Sequence, residues 1–361
     1  MPSGLVLRGN RSAAGLDAGE RALGHHTLTN GALRVGTRVV LPVLRWCGLV
    51  TADLALVAGL VVLVSVQLGW LHGAIDVVAQ FGLQGALALA LALGLTWRLA
   101  RWWRATLAGT ALLLSLPPLG LPALPWAAPW GHATAEDAPV LTVLVANLNQ
   151  HAGVPPKGSF DAWLNATGAD VVLFNEATAA TRARFETHPG AFDYVDHCGQ
   201  GLFCETMVLS RWPSSPIAYR FDPQNGGKVQ LTAVTFEDTR FTFGVTHVLR
   251  PIPPGSPAQN LRQSEFIAEA VAGHERMVLT GDFNAVPWGR VMAMFGERAG
   301  LSGPILWQGT WPSWLPIPLR LHIDHVLVGC GVEVLSARTI RVPRSDHMAV
   351  LARLRASDAA C

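Results

Sequence analysis

Charge is what this sequence has least of. Charged residues make up 14% of its 361 positions, against about 25% in a typical soluble protein. The deficit is local. Between Leu49 and Trp130 the only acids are Asp53 and Asp76, whereas the residues after Asp137 carry an ordinary mix. Two unlike parts are therefore joined in one chain. The net charge is only +2, which excludes a global basic field of the kind that attracts nucleic acid. No apolar core follows the start closely, so the N-terminus is not a secretory signal. Residues 1–38 are rich in Gly, Arg and Ala, show no apolar period, and read as a disordered tail.

What fills the acid-poor region is long apolar runs, from about Leu49 to Leu71, Val77 to Trp97 and Ala105 to Leu124. About 20 apolar residues cross a bilayer as a helix. The first two runs meet this length, and the third is weakened by Pro117 and Pro118. Long runs without a polar face suit lipid better than a soluble core. Residues 39–126 are thus expected to form a membrane anchor of three transmembrane helices, with the lipid bilayer as its partner.

Basic residues give the orientation. Arg34, Arg38 and Arg45 precede the first run, and Arg98, Arg101 and Arg104 separate the second from the third. The positive-inside rule places both groups in the cytoplasm. The tail is then cytoplasmic, and three crossings put everything after Trp126 outside, on a multi-pass cell-membrane protein. Trp70, Trp97, Trp102, Trp103, Trp126 and Trp130 fall at the expected ends, where an aromatic belt belongs. Asp53 reads as interfacial. Residues 127–139 read as a small, polar linker.

Residues 140–356 have a different rhythm. Strands are expected at Val140–Asn147, Asp170–Asn175, Met207–Ser210, Val229–Phe236, Arg240–His247, Arg276–Leu279, Ile323–Val328 and His347–Leu354, with helices near Phe160–Thr167 and Ala258–Ala272. Most strands are apolar on both faces, so helices cover the sheets in an α/β layered domain. Polar residues sit at strand ends: Asn147, Glu176, His247, Asp282 with Asn284, Asp324, and Asp346 with His347. One such residue means little, but this many placed alike mean a shared pocket. In the turn Gly281-Asp282-Phe283-Asn284, side chains at i and i+2 share a face, so an acid and an amide point into the pocket together. Such a pair suits a water and a developing anion, as phosphoryl transfer requires.

The ordered motifs Asn147, Phe174-Asn175-Glu176, Thr246-His247, Gly281-Asp282-Phe283-Asn284, Ile323-Asp324-His325 and Ser345-Asp346-His347 resemble those of the endonuclease/exonuclease/phosphatase superfamily, over about Val140 to Arg355. The preceding anchor is similar to membrane-bound bacterial members, including the vancomycin/teicoplanin resistance-associated branch. The resemblance implies a DNase-I-like four-layered α/β sandwich and metal-dependent phosphoester hydrolysis with Mg²⁺, or Mn²⁺ in its place. By motif, Glu176 would ligate the metal with Asn147 and Asp346. His347 would contact the scissile phosphate, oriented by Asp324. Asp282 would position and deprotonate the attacking water, Asn284 would hold it or a phosphate oxygen, and His247 would stabilise charge or act as an acid.

Other points stay open on residues alone. Glu205 is either a partner of the first histidine, as in some nucleases, or a surface or local salt-bridge residue. Cys198 and Cys204 flank a Gly-rich loop and suit a disulfide outside the cytoplasm, while Cys47, Cys330 and Cys361 have no evident partners. Histidines 247, 322, 325 and 347 are set among carboxylates and amides, unlike a closed zinc site. Ser345-Asp346-His347 is no serine triad, because adjacent residues cannot converge on one another. Trp307 to Pro318 reads as a substrate groove, a membrane contact or a rigid packed loop. The function expected is a membrane-anchored phosphoester hydrolase with an extracytoplasmic site, acting on a lipid-linked phosphate or other envelope phosphoester. The alternatives are an extracytoplasmic nuclease and a catalytically inactive binding domain.

Overall fold

The computed structural model describes residues 27–120, 139–199 and 203–357, with side chains from Val40 onward. Most of the expected tail and nearly all of the linker lie outside these residues. The chain divides into two units, Met1–Thr51 and Ala52–Cys361.

Helix α1 spans Thr27–Leu68. Thr27 to Arg38, expected to be disordered, is helical, because a helix once nucleated adds residues at little cost. Of the expected transmembrane helices, one among the described residues is long and apolar enough to cross a bilayer, at Val40–Leu68. The second run is broken into α2 (Gly73–Ala79) and α3 (Gly82–Arg98), which bend by 57° and make one span only if taken together. The third yields α4 (Trp102–Ser115), 14 residues or about 21 Å of helix, short of the ~30 Å hydrocarbon layer. Pro117 and Pro118 end it, since proline has no N–H to continue the helical ladder.

Within the second unit these helices pack through Leu56, Leu63, Leu89, Ala92, Ala108 and Ala111. Larger side chains, among them Leu54, Val57, Val61, Leu91, Leu113 and Leu114, face outward. Arg104 and Asp53 form an ion pair at 3.1 Å, so Asp53 is partnered rather than stranded.

The remaining chain builds two mixed sheets. Strands β1 (Val140–Asn147), β2 (Val171–Asn175), β3 (Tyr194–His197), β4 (Met207–Ser210), β10 (Val332–Arg341) and β11 (Met348–Ala356) form the first, in the order β10-β11-β1-β2-β4-β3. Strands β5 (Ser214–Phe221), β6 (Lys228–Phe236), β7 (Thr239–His247), β8 (Met277–Asp282) and β9 (Asp324–Val328) form the second, in chain order. Helices α5 (Ser159–Thr167) and α6 (Ala179–Thr187) cover the first sheet, and α7 (Pro257–Val271) and α8 (Arg290–Ala299) cover the second.

The alternation of strand side chains explains why both faces are apolar. In β1, Leu141, Val143 and Val145 enter the core between the sheets, while Leu144 and Ala146 meet α5 and its neighbours. In β8, Val278 faces the inter-sheet core, and Met277 and Leu279 face α7 and α8. The result is the expected four-layered sandwich.

Two parallel pairs decide where chemistry can occur. β1 lies parallel to β2 with Asn147 opposite Asn175, and β7 lies parallel to β8 with His247 opposite Asp282. Asp324, at the start of antiparallel β9, pairs with Asp282. The polar strand ends of both sheets thus meet at one edge of the sandwich. Gly281 makes the approach possible: its φ is 141°, and a Cβ there would lie 1.8 Å from the carbonyl oxygen of Thr246.

Candidate active site

Asp282 ends β8 almost completely buried, at 2% exposure. Its Oδ1 accepts the Asn284 backbone N–H at 2.9 Å, a turn that Asn284 closes with φ of 49°. Its Oδ2 accepts from the Asn147 amide at 3.2 Å and lies 3.8 Å from Nε2 of both His247 and His347. Two imidazoles therefore present the same ring nitrogen to one carboxylate oxygen.

Each imidazole is held from behind. His347 Nδ1 lies 2.9 Å from Asp324 Oδ2, and His247 Nδ1 lies 2.9 Å from Glu205 Oε1. A carboxylate at Nδ1 fixes the ring orientation and leaves Nε2 for the site. Glu205 is thus a histidine partner, not a surface residue, and it also forms an ion pair with Lys228 at the start of β6. Its loop is fixed by the Cys198–Cys204 disulfide, by the Ala177 N–H bond to the Glu205 carbonyl at 2.9 Å, and by Arg182, which donates to the carbonyls of Ala177 and Cys204. Cys330 is disulfide-bonded as well.

Three side-chain hydrogen bonds here, Asn147 to Asp282, His247 with Glu205 and His347 with Asp324, cross from one sheet to the other. Asn147, Glu205 and His347 belong to the first sheet or its ends, and Asp282, His247 and Asp324 belong to the second. Asn175 adds a fourth crossing by donating to the Thr246 carbonyl at 2.6 Å.

Electrostatics follow from this packing. Burial pulls His247 down, but the bond to Glu205 and its charge, with Asp282 and Glu176 behind them, carry it up to about 9. Burial likewise opposes the charge on His347, yet Asp324, then Asp282 and Asp346, raise it to about 10. Burial would raise Glu205, but His247 and then Lys228 hold it at about 2. Burial and the adjacent Asp324 charge lift Asp282 above the ordinary carboxylate range, against the pull of both imidazoles. At neutral pH the arrangement is two cationic rings around a carboxylate poised to take up a proton.

Glu176 follows β2 with φ of 54°. Its Oε1 accepts from the Asn147 amide at 2.9 Å and its Oε2 from the Gln150 N–H at 2.8 Å. Asp346 lines the same cavity, with Oδ2 accepting from Trp311 Nε1 at 3.1 Å. These carboxylate oxygens fit a hard divalent cation. Asn147 fits less well as a ligand: its Oδ1 accepts the Asn149 N–H at 2.9 Å and its NH₂ faces two carboxylates, so it is oriented as a donor. A second donor cluster, Asp282, Asp324 and His347, has ligand atoms within 4.8 Å of one another. Within it His347 Nδ1 and Asp324 Oδ2 bond each other, Asp282 accepts from Asn284 and Asn147 outside it, and Asp324 Oδ1 has no hydrogen-bond partner.

The remaining assignments divide. Asn284 turns its amide nitrogen to the Val248 carbonyl at 2.9 Å while lining the cavity. His322 and His325 stack on each other in the core, accepting the Leu306 N–H and contacting the Ala285 carbonyl, with burial lowering both and His325 brought to about 4. They take no part in the site. Trp311 lines the cavity, while Trp314 on the same stretch is 70% exposed. Lys228 and Arg182 carried no signal in the sequence, because Lys228 meets Glu205 only through the packing of the sheets and Arg182 bonds backbone carbonyls, which every residue carries.

The fold and site place the chain among known proteins. The model of the Endonuclease/Exonuclease/phosphatase family matches residues 143–347. No curated protein matches the chain. Among solved structures, an endonuclease/exonuclease/phosphatase from Bacteroides vulgatus is 15% identical, with 61% of this chain and 100% of that chain covered at a TM-score of 0.50. D. rerio TDP2 complexed with single-strand DNA product is 14% identical, covering 60% and 99% at a TM-score of 0.48. Sphingomyelinase C from Streptomyces griseocarneus is 18% identical, covering 60% and 99% at a TM-score of 0.41. The family match spans more than half of the sequence and runs from the core of β1 to His347, so the chain belongs to the endonuclease/exonuclease/phosphatase family and is a hydrolase of the phosphodiesterase/nuclease class.

Proposed function

We propose that the protein is a membrane-anchored, divalent-metal-dependent phosphoester hydrolase whose catalytic domain, residues 140–356, works outside the cytoplasm on an envelope phosphoester such as a lipid-linked phosphate. The observation that carries the catalytic part is the convergence of His247 and His347 Nε2 on Asp282, each at 3.8 Å. Asp282 takes the proton of an attacking water, with the Asn284 turn setting its carboxylate. The two imidazolium rings face the anionic phosphoryl oxygens and stabilise the charge that builds there. Asp324 and Glu205 keep those rings charged and oriented. Family members generally depend on a divalent metal, and Mg²⁺ held by Glu176 with Asp346 would neutralise phosphate charge.

The anchor reading is supported by helices that pack through Ala92, Ala108 and Ala111 and turn large aliphatic side chains outward, as helices in lipid do. Trp70, Trp97, Trp102 and Trp103 are exposed near the helix ends. After α4, Leu119 lies close to Gly82 of α3, and Gly120 reaches Ile305 of the catalytic domain. The extracytoplasmic placement rests on the arginines at 34–45 and 98–104.

The test is hydrolysis by the full-length protein, with and without Mg²⁺, of plasmid DNA, a soluble phosphodiester, a phospholipid and a polyprenyl pyrophosphate. Asp282→Ala is the control, with loss of about 10²–10⁴-fold expected for removal of a general base. Turnover of DNA alone makes the protein a nuclease. Equal results from wild type and Asp282→Ala leave no catalytic role for this site.

A further inference from the structure

The catalytic cavity, of about 770 Å³, is not built by the catalytic domain alone. Val77, Gln80 and Phe81, at the break between α2 and α3, line it together with Asp282, His247 and His347. This piece of the apolar region is locked in place. Asp76 Oδ1 accepts the Arg290 N–H at 3.1 Å at the start of α8, and the Ala79 carbonyl accepts from Trp288 Nε1 at 2.8 Å. Gln84 donates to the carbonyls of Pro318 and Arg320 at 3.1 and 3.3 Å. Gly82 lies so close to Trp288 that a Cβ would stand 2.7 Å from its Nε1. These bonds dock the helix break against two segments at the mouth of the site, 288–290 and 318–320, more than a tether needs.

The cavity has two chemistries. Its floor is polar, with Glu176, His247, Asp282, Asp346 and His347. Its apolar wall includes Val77, Phe81, Leu249, Ile252, Leu321 and Ile323. Among the described residues, Phe81 and Ile252 remain 47% and 48% exposed. The exposed Ile317 and Leu319 continue the apolar surface on the segment that Gln84 grips. Arg250 is the one Lys or Arg among the lining residues, enough for one phosphate and too little for a polyanion. From Phe81 the apolar wall is continuous with α3, which makes up most of the second apolar run.

We infer that this wall receives the hydrocarbon chain of an amphiphilic phosphoester, with the phosphate at the polar floor and the chain against Val77, Phe81 and Ile252, leading toward α3. The inference rests on the hydrolase reading above and gives the broken helix a job of its own: it is a specificity-determining part of the active site. Buried chain length then enters the rate, because each methylene removed from water adds binding energy.

The experiment uses the full-length protein in detergent-free nanodiscs and one phosphodiester head group carrying alkyl chains of increasing length, each below its critical micelle concentration. kcat/KM is expected to rise by up to about fourfold per buried methylene and then level off when the wall is covered. Phe81→Ser and Ile252→Ser are expected to lower the ratio of long-chain to short-chain kcat/KM by about tenfold each. Straight-chain and isoprenoid phosphoesters form separate arms that distinguish acyl from polyprenyl lipids. Asp282-dependent turnover with no chain-length dependence overturns the inference and leaves the hydrolase intact. Turnover equal in wild type and Asp282→Ala overturns both. The chain-length series on the unaltered protein decides the matter even if a variant fails to fold.

Discussion

Replacing Glu205 by Gln keeps the shape of the side chain and removes its charge from two partners, His247 and Lys228. The Nδ1 contact of His247 is 2.9 Å long, with side-chain exposures of 18% and 22%, so water screens it only in part. A hydrogen bond to a charged group contributes about 1.5–3 kcal/mol, roughly twice a neutral one. Losing the charge while keeping an acceptor thus costs the protonated ring about 1–2 kcal/mol, or about one pKa unit. His247, held at about 9 in the native site, falls by about that amount. The sign is definite. A raised histidine favours its charged form, so its contribution to folding and to phosphate binding is complete below its ordinary value and is lost as pH rises through 9. In Glu205→Gln that loss begins about one unit earlier. Glu205 itself, held at about 2, contributes stability above the ordinary carboxylate range that is lost only as pH falls toward 2. The assay is kcat/KM against a soluble phosphodiester from pH 6 to 10 at saturating Mg²⁺. The alkaline limb should move down by about one unit, with its acidic limb, set by Asp282, in place. An alkaline limb that does not move refutes the role given to Glu205.

Asp324→Asn should cost about 10³–10⁴-fold in kcat, because an amide cannot hold the His347 tautomer and charge, while circular dichroism stays unchanged. Cys204→Ser removes a cross-link of sequence separation 6 and should cost about 2 kcal/mol in denaturant unfolding. It should also shift the alkaline limb in the same direction as Glu205→Gln, since the disulfide precedes that residue. Gly281→Ala should lose at least about 3 kcal/mol of stability or fail to fold, because its Cβ would strike the Thr246 carbonyl at 1.8 Å. Recovery of a soluble, fully active Gly281→Ala protein would contradict the close approach of β7 and β8.

The strand-end residues were legible because each ends an apolar strand, and that placement survives without knowing which strands pair. β1 and β2 appeared in the sequence with nearly the observed ends, since both of their faces are buried. The edge strands β3, β5 and β10 were missed. Most of their residues are partly buried or exposed, and β5 carries Pro216, so no apolar run marks them. Glu205 stayed open because its partner lies 42 residues away and only the sheet-to-sheet approach joins them. The break at Gln80 and Phe81 was invisible for a related reason. Hydropathy sums over a window, whereas the bend is held by Trp288, Arg290 and Pro318, more than 200 positions downstream. Asn147 shows a subtler limit: a residue type permits ligand or donor, and only its contact with Asn149 tells which face it presents.

The cross-sheet contacts make the active site a gauge of the sandwich's thickness. His247 and Asp282 ride on one sheet and His347 ends the other, so the 3.8 Å gap from His347 to Asp282 is set by the apolar filling between the sheets. Shaving that filling, for example at Val145 or Phe243, would let the slices settle by a fraction of an ångström. Such a change is small for a folded domain and large for a proton in transit. Activity should therefore fade before structure does on heating, and the interior valines and phenylalanines become tuning pegs for the rate.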